Sequence, residues 1–236
     1  MRIQGFSYSY DKRKRAVDDL TLRVCAGDVY GFIGHNGAGK TTTIRALTGV
    51  LDFREGEILI DGKSIKTDPI ACKRAIAYVP DNPDLYDFMT GIQYLTFLCD
   101  VFAVGKAARE ARIAEYADAF ELTANLGDLI SSYSHGMKQK LALIGALSHD
   151  PRLMVFDEPF VGLDPKAVHT IKGIMARKCA EGCAVFFSTH VLDVAEKLCD
   201  KVGIIQNGRL VAEGRTDEVI GDKSLESVFL ELIEHA

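Results

Sequence analysis

The stretch Gly34-His35-Asn36-Gly37-Ala38-Gly39-Lys40-Thr41 matches the spacing G-x-x-x-x-G-K-[ST] at every fixed position. An apolar run at 29–33 precedes it, and helix-prone Thr42-Thr43-Ile44-Arg45-Ala46-Leu47 follows. Glycines let such a loop curl so that successive N–H groups point inward at phosphate oxygens. The amino terminus of the next helix adds positive potential. Lys40 then reaches β- and γ-phosphates, and the Thr41 hydroxyl holds Mg²⁺. The expected contacts are Gly34, His35, Asn36, Gly37, Ala38, Gly39, Lys40, Thr41 and Thr42. A chance glycine loop is the alternative, and the flanking strand and helix argue against it. The motif points to a nucleoside triphosphate and leaves open what its cleavage drives.

Short apolar runs rich in Val, Ile and Phe alternate with helical stretches on both sides of this loop. Strands are expected at 20–24, 29–33, 57–60, 76–79, 153–156, 184–188, 202–206 and 209–212. Two of them, 153–156 and 184–187, are apolar throughout, as strands covered on both faces are. Helices are expected to begin near Lys40, Pro69, Gly91, Lys106, His135, Pro165, Leu192 and Thr216. That alternation predicts an α/β protein with a largely parallel central sheet. Residues up to about 65 carry short strands that suggest a small antiparallel lobe. Residues 88–150 carry helix signals and almost no strand signals, which suggests an inserted helical subdomain. Within it Leu95, Leu98, Phe102, Ile113, Tyr116, Ala117 and Phe120 recur at helical spacing and are read as core. Asn207-Gly208 between two strand runs signals a hairpin. The expected organisation is one domain over 1–236: lobe and core from 1–87 and 151–215, the helical subdomain at 88–150, and an amphipathic helical element at 216–236. In that last element Leu225, Val228, Phe229 and Ile233 face one way, to pack on the sheet lobe or help form a dimer.

Leu153-Met154-Val155-Phe156-Asp157-Glu158 is a buried strand that ends in two carboxylates. Buried acids are costly unless paired, and beside a phosphate loop the partner is Mg²⁺. Asp157 is expected to hold the metal, and Glu158 to orient or deprotonate the attacking water. A helix N-cap is the bland alternative for this pair. A second apolar strand ends in His190. Ligands bind at the carboxyl ends of strands in such sheets, so His190 is a candidate γ-phosphate sensor and partner of Glu158; a structural histidine is the alternative.

These features, in this order, resemble the ATP-binding cassette (ABC) ATPases. Tyr133-Ser134-His135-Gly136-Met137-Lys138-Gln139-Lys140 is similar to that family's signature, in the exporter-like form Tyr-Ser-x-Gly-Met-x-Gln. Against the family's usual Leu-Ser-Gly-Gly-Gln, Ser134 and Gly136 match, while His135 replaces the first glycine and Met137 the glutamine. The resemblance implies a P-loop NTPase of ABC type, in which Ser134, His135 and Gly136 face the phosphates of ATP. Gly162-Leu163-Asp164-Pro165 is similar to the D-loop, with Asp164 at the matching position and Val161 where Ser is common. Tyr10 resembles the aromatic that stacks on adenine, with Tyr8 as the alternative. Asp81 occupies the position that normally carries a Gln contacting metal or water.

The resemblance further implies two copies packed head to tail around two ATP, each Ser134 closing over the nucleotide held by the partner's Lys40. It implies an integral membrane permease as second partner, hydrolysis coupled to transport, and a cytoplasmic place on the inner face of the membrane. Asp81 and the helical subdomain would receive the permease's cytoplasmic helix. A soluble, non-transport ABC ATPase is the competing class. Charge argues against nucleic acid as partner: 28 Lys and Arg stand against 33 Asp and Glu. The basic run Lys12-Arg13-Lys14-Arg15 is read as a solvated loop, with a contact to nucleotide, lipid or nucleic-acid phosphates as alternative. No apolar run is long enough to span a bilayer and no leader is expected. The six cysteines form no C-x-x-C and are read as buried free thiols. Exposed rings near Tyr86 and Phe88 suggest a docking surface or satellite packing.

Overall fold

The computed structural model describes residues 1–11 and 14–234, without the side chains of 233 and 234. Lys12 and Arg13 of the basic run and the side chain of Ile233 therefore lie outside the described residues. In chain order the first elements are β1 (Arg2–Tyr8), β2 (Val17–Arg23), β3 (Val29–Ile33), α1 (Lys40–Leu47), β4 (Glu55–Ile60), β5 (Lys63–Ser64), α2 (Pro69–Ala75) and β6 (Ile76–Val79). A helical stretch follows: α3 (Gly91–Val101), α4 (Lys106–Ala119) and α5 (His135–Leu147). The chain then returns through β7 (Leu153–Asp157), α6 (Pro165–Ala180), β8 (Ala184–Thr189), α7 (Leu192–Leu198), β9 (Lys201–Gln206), β10 (Arg209–Arg215), α8 (Thr216–Ile220) and α9 (Leu225–Glu234).

The larger sheet has the order β10-β9-β3-β8-β7-β6. Every pairing from β9 to β6 is parallel, and β10 folds back antiparallel on β9. Asn207 (φ +49°) and Gly208 (φ +81°) both take the left-handed conformation that the tight hairpin turn requires. The smaller sheet, β2-β1-β4-β5, is antiparallel throughout.

The large sheet divides two cores, and the period-two alternation of its strands decides which residue joins which. Val29, Ile33, Met154, Phe156, Val185 and Phe187 face α5, α6 and the helical stretch. Tyr30, Phe32, Val155 and Phe186 face the antiparallel sheet, with α1 sandwiched between the two sheets through Ile44 and Leu47. Both faces being covered explains why β7 and β8 are buried along their length and apolar up to their carboxyl ends.

Helix starts agree with the sequence because their caps are local. Asp68 precedes Pro69 and accepts from the Ala71 N–H, and Thr90 and Gln93 form a capping box. Ser134 caps α5, and Asp164 precedes Pro165 at the start of α6. Three expectations are corrected. β1 is a full strand that the sequence reading leaves unplaced, and β2 begins at Val17 and ends at Arg23 instead of covering 20–24. The carboxyl-terminal element is two helices, broken at Gly221 (φ +53°). It packs on the helix-covered face of the large sheet: Leu225 is fully buried and Val228 and Phe229 join that core. Among the described residues the cysteines are free, and all but Cys25 are buried. Burial pushes the thiols up, to about 12 at Cys179 and about 11 at Cys183.

Candidate functional site

β3, β8 and β7 are parallel neighbours, so their carboxyl ends share one rim. The loop 34–39 leaves β3 at that rim and runs into α1. Two of its glycines leave no room for a side chain. A Cβ on Gly34 would lie 2.5 Å from the Ile205 carbonyl oxygen, and one on Gly39 2.6 Å from that of Ala16. Gly37 (φ +82°) and Gly39 (φ +114°) are left-handed. No carboxylate sits in the first turn of α1, so its open N–H groups keep their positive potential. Lys40 Nζ donates to the Gly34 carbonyl (2.6 Å) and the His35 carbonyl (3.3 Å) and lies 3.8 Å from Glu158 Oε1. Burial pulls this ammonium below the ordinary lysine pKa, while Glu158 and Asp157 push back.

Asp157 ends β7, is 3% exposed, and accepts a 2.5 Å hydrogen bond on Oδ1 from Ser188 Oγ of the adjacent strand. Register makes that contact: Asp157 pairs with Ser188 across the ladder. Glu158 turns into the left-handed region (φ +51°), a conformation that a non-glycine residue holds at a cost of about 1–3 kcal/mol. Its N–H donates to the Ser188 hydroxyl and carbonyl oxygens, each at 3.2 Å. Its Oε1 reaches 2.9 Å from His190 Nδ1. Lys40, Glu158 and His190 thus converge from three strand ends, as the sequence reading expects. Ser188, which contacts both acidic residues, is not singled out by that reading. The one signal available is a serine in an otherwise apolar strand.

His35, Asn36, Gly37, Gly39, Lys40, Thr41, Thr42, Tyr10, Asp81, Asp157 and Glu158 line one cleft of about 300 Å³, while Gly34 and Ala38 of the same loop do not reach its surface. Tyr10 is 62% exposed, lies edge-on to Tyr8, and its hydroxyl sits 3.2 Å from Thr42 Oγ1. Asp81, Thr41 and Asp157 line the same cleft, so three residues with hard oxygen donors border it. That donor set fits Mg²⁺, which binds through one or two carboxylates and fills the rest of its shell with other oxygens, from hydroxyl, water and phosphate.

Ser134, His135, Gly136 and Asp164 do not line this cleft. Ser134 caps α5, its Oγ accepting from the Met137 N–H at 3.3 Å. The ring of His135 lies against Gly162: a Cβ there would fall 2.6 Å from His135 Cδ2. Asp164 caps α6 by accepting from the Ala167 N–H (2.8 Å) and pairs with Lys140 Nζ (2.7 Å). The Lys140 hydrogen bond holds its carboxyl below the usual range.

A second, apolar cleft of about 260 Å³ opens between β6, α3 and α5, with Tyr78, Leu85, Leu98, Phe102 and His149 among its walls. Beside it Tyr86 and Phe88 are 45% and 76% exposed, their rings 5.8 Å apart. Arg15 of the basic run is tied into the antiparallel lobe by Asp18 at 2.6 Å. No helix among the described residues is long and apolar enough to cross a membrane.

Residues 17–161 match the family model described as ABC transporter. The ABC transporter ATP-binding protein YhcH of Bacillus subtilis (strain 168) is 37% identical over 196 residues, 83% of this chain and 63% of that protein. The chain thus spans less than two thirds of that relative. The ABC-type transporter ATP-binding protein EcsA of the same organism is 32% identical over 93% of this chain and 91% of its own length. A solved ATP-binding subunit of an ABC transporter superposes with a TM-score of 0.94 at 33% identity, covering 98% of each chain.

Proposed function

The chain belongs to the ABC transporter family of ATPases, and on that footing we propose that it powers a membrane permease by closing in pairs over two ATP. The division of the chain is part of the proposal: one ATPase domain, with 88–150 as the subdomain that carries the signature. So is export as the direction of transport, on the signature Tyr133-Ser134-His135-Gly136-Met137.

The observation that carries this reading is a division of labour. Lys40, Asp157 and Glu158 share one cleft, with His190 on Glu158, whereas Ser134 and the amino terminus of α5 stand outside it. A second copy packed head to tail would bring that helix end to the exposed phosphates. Lys40 would exchange its carbonyl contacts for β- and γ-phosphate oxygens. Thr41, Asp157 and Asp81 would hold Mg²⁺, which supplies charge neutralisation at the phosphates when bound. Tyr10 would stack on the base. Glu158 Oε1 would accept the proton of the attacking water. His190, bonded to that carboxylate, would keep it oriented and face the γ-phosphate. Loss of that phosphate would remove the contacts that hold the pair together. The apolar cleft at Tyr78 and Phe102, flanked by the exposed rings of Tyr86 and Phe88, would seat the permease's cytoplasmic helix.

Glu158→Gln tests the reading. A positioned base is worth roughly 10²–10⁴-fold in rate, so turnover should fall by about that much. Light scattering should then show a doubled mass under ATP and Mg²⁺. A variant that hydrolyses ATP normally, or stays monomeric with saturating nucleotide, would refute it.

A further inference from the structure

His135 stands where the signature it resembles has a glycine, and its ring turns to the loop ahead of α6. A Cβ on Gly162 would fall 2.6 Å from His135 Cδ2 and 2.8 Å from Nε2. One on Gly136 would fall 3.0 Å from the Gly162 carbonyl oxygen. Further along α5, Lys140 Nζ lies 2.7 Å from Asp164 Oδ2. Two segments far apart in sequence therefore meet at three points. The ion pair is half exposed on its acidic side and by itself a weak tether. The ring packs on a left-handed glycine, where a Cβ would have to push it aside, and so adds a register that the ion pair lacks.

The loop against which His135 rests begins at Glu158. The Val161 N–H closes a turn on the Glu158 carbonyl (3.2 Å). Gly162 follows in the left-handed conformation (φ +78°), and Asp164 then fixes the start of α6. A push on Gly162 is thus delivered, through a short closed turn, to the residue that contacts His190 and Lys40.

We propose that His135 is a positioning residue: it clasps Gly162 so that the amino terminus of α5 and the turn carrying the same chain's Glu158 move as one body. This rests on the paired reading above, in which Ser134 closes over a nucleotide held by a second copy. Engagement of Ser134 in one site would then set Glu158 in the other, and the two ATP would be turned over cooperatively.

The test has one arm that needs no pairing. Amide hydrogen exchange of 160–163 in the nucleotide-free chain should speed up in His135→Gly and return to the parent rate in His135→Phe, which keeps a ring. The second arm is kinetic. His135→Gly should lower kcat roughly 10-fold, less than the ~10²-fold that a full ångström of misplacement costs. KM should hold, and the Hill coefficient for ATP should drop toward one. The third arm is steric. Gly162→Ala should be impaired both by its φ and by the ring, and adding His135→Gly should recover part of the lost turnover. Unchanged exchange in His135→Gly, or a double variant as slow as the product of the singles, would overturn the proposal. If Glu158→Gln fails to pair under ATP and Mg²⁺, the paired reading falls, and the exchange arm still decides whether the ring holds the turn.

Discussion

Ser188 offers the sharpest test of how the rim is built. Its side chain is fully buried, and its hydroxyl serves both acidic residues. Oγ donates to Asp157 Oδ1 at 2.5 Å and accepts from the Glu158 N–H at 3.2 Å. Ser188→Ala removes one oxygen and leaves a buried carboxylate short of a donor. A hydrogen bond to a charged group is worth about 1.5–3 kcal/mol, and that is the expected loss of stability. At roughly 2–4 °C per kcal/mol for a chain of this size, Tm should fall by about 3–12 °C. The Glu158 N–H keeps its second acceptor, the Ser188 carbonyl at 3.2 Å, so Glu158 should shift without being released. A drop in kcat of roughly 10-fold follows, short of the ~10²-fold for an ångström of displacement. Thr189→Val is the control. Thr189 is also buried, and its hydroxyl accepts only a neutral bond from the Val191 N–H at 3.0 Å. It should cost about 0.5–1.5 kcal/mol and leave kcat alone. Thermal unfolding and steady-state hydrolysis on both variants suffice. If Ser188→Ala matches Thr189→Val in Tm and in kcat, the shared hydroxyl does not organise the site.

Lys40→Ala should weaken ATP binding by about 10–100-fold, the equivalent of one charge-assisted contact, while leaving Tm nearly unchanged because burial already disfavours the ammonium; unchanged affinity by calorimetry would contradict the loop assignment. His149 should make stability pH-dependent. Its ring stacks on Phe102 at 3.8 Å, Nε2 donates to the Ile76 carbonyl, Nδ1 has no partner, and burial pushes its pKa down from 6.5 to about 4. A depressed pKa gives stability that is present above the unfolded value and lost as pH falls from 6.5 toward 4, by up to about 3 kcal/mol. His149→Gln should flatten denaturation midpoints between pH 6.5 and 4.5, and a slope equal to the parent's would refute the assignment.

What the sequence shows plainly is what is written within a few consecutive residues. The loop 34–41 and the strand end Asp157-Glu158 are contiguous, so a spacing rule finds them. Helix starts are found for the same reason, since Asp68, Thr90, Ser134 and Asp164 each cap from one position away. β1 escapes because its identity is a matter of partners. Gly5 takes φ +57° amid register shifts against both neighbours, so no clean alternation reaches the sequence. β2 is blurred by Asp18 and Asp19, the latter at φ +54°. Ser188 escapes because its role depends on which strand lies beside β8, and the His135–Gly162 contact because it joins two motifs that the chain holds apart.

The caps also differ in the charge that they leave at each helix end. At α6 a carboxylate cap, Asp164, satisfies the Ala167 N–H and cancels the local positive potential. At α5 the cap is a hydroxyl. Ser134 accepts the Met137 N–H through a lone pair and keeps its own proton to donate. No acidic side chain occupies the first turn of α5, so its potential remains. α1 shares this lack of acid and has a glycine cap. The first turns of α3 and α4 also lack acid, so what sets α1 and α5 apart is the cleft that α1 enters and the signature-like segment that opens α5. In the proposed head-to-tail pair, a nucleotide held at α1 of one copy would meet α5 of the other.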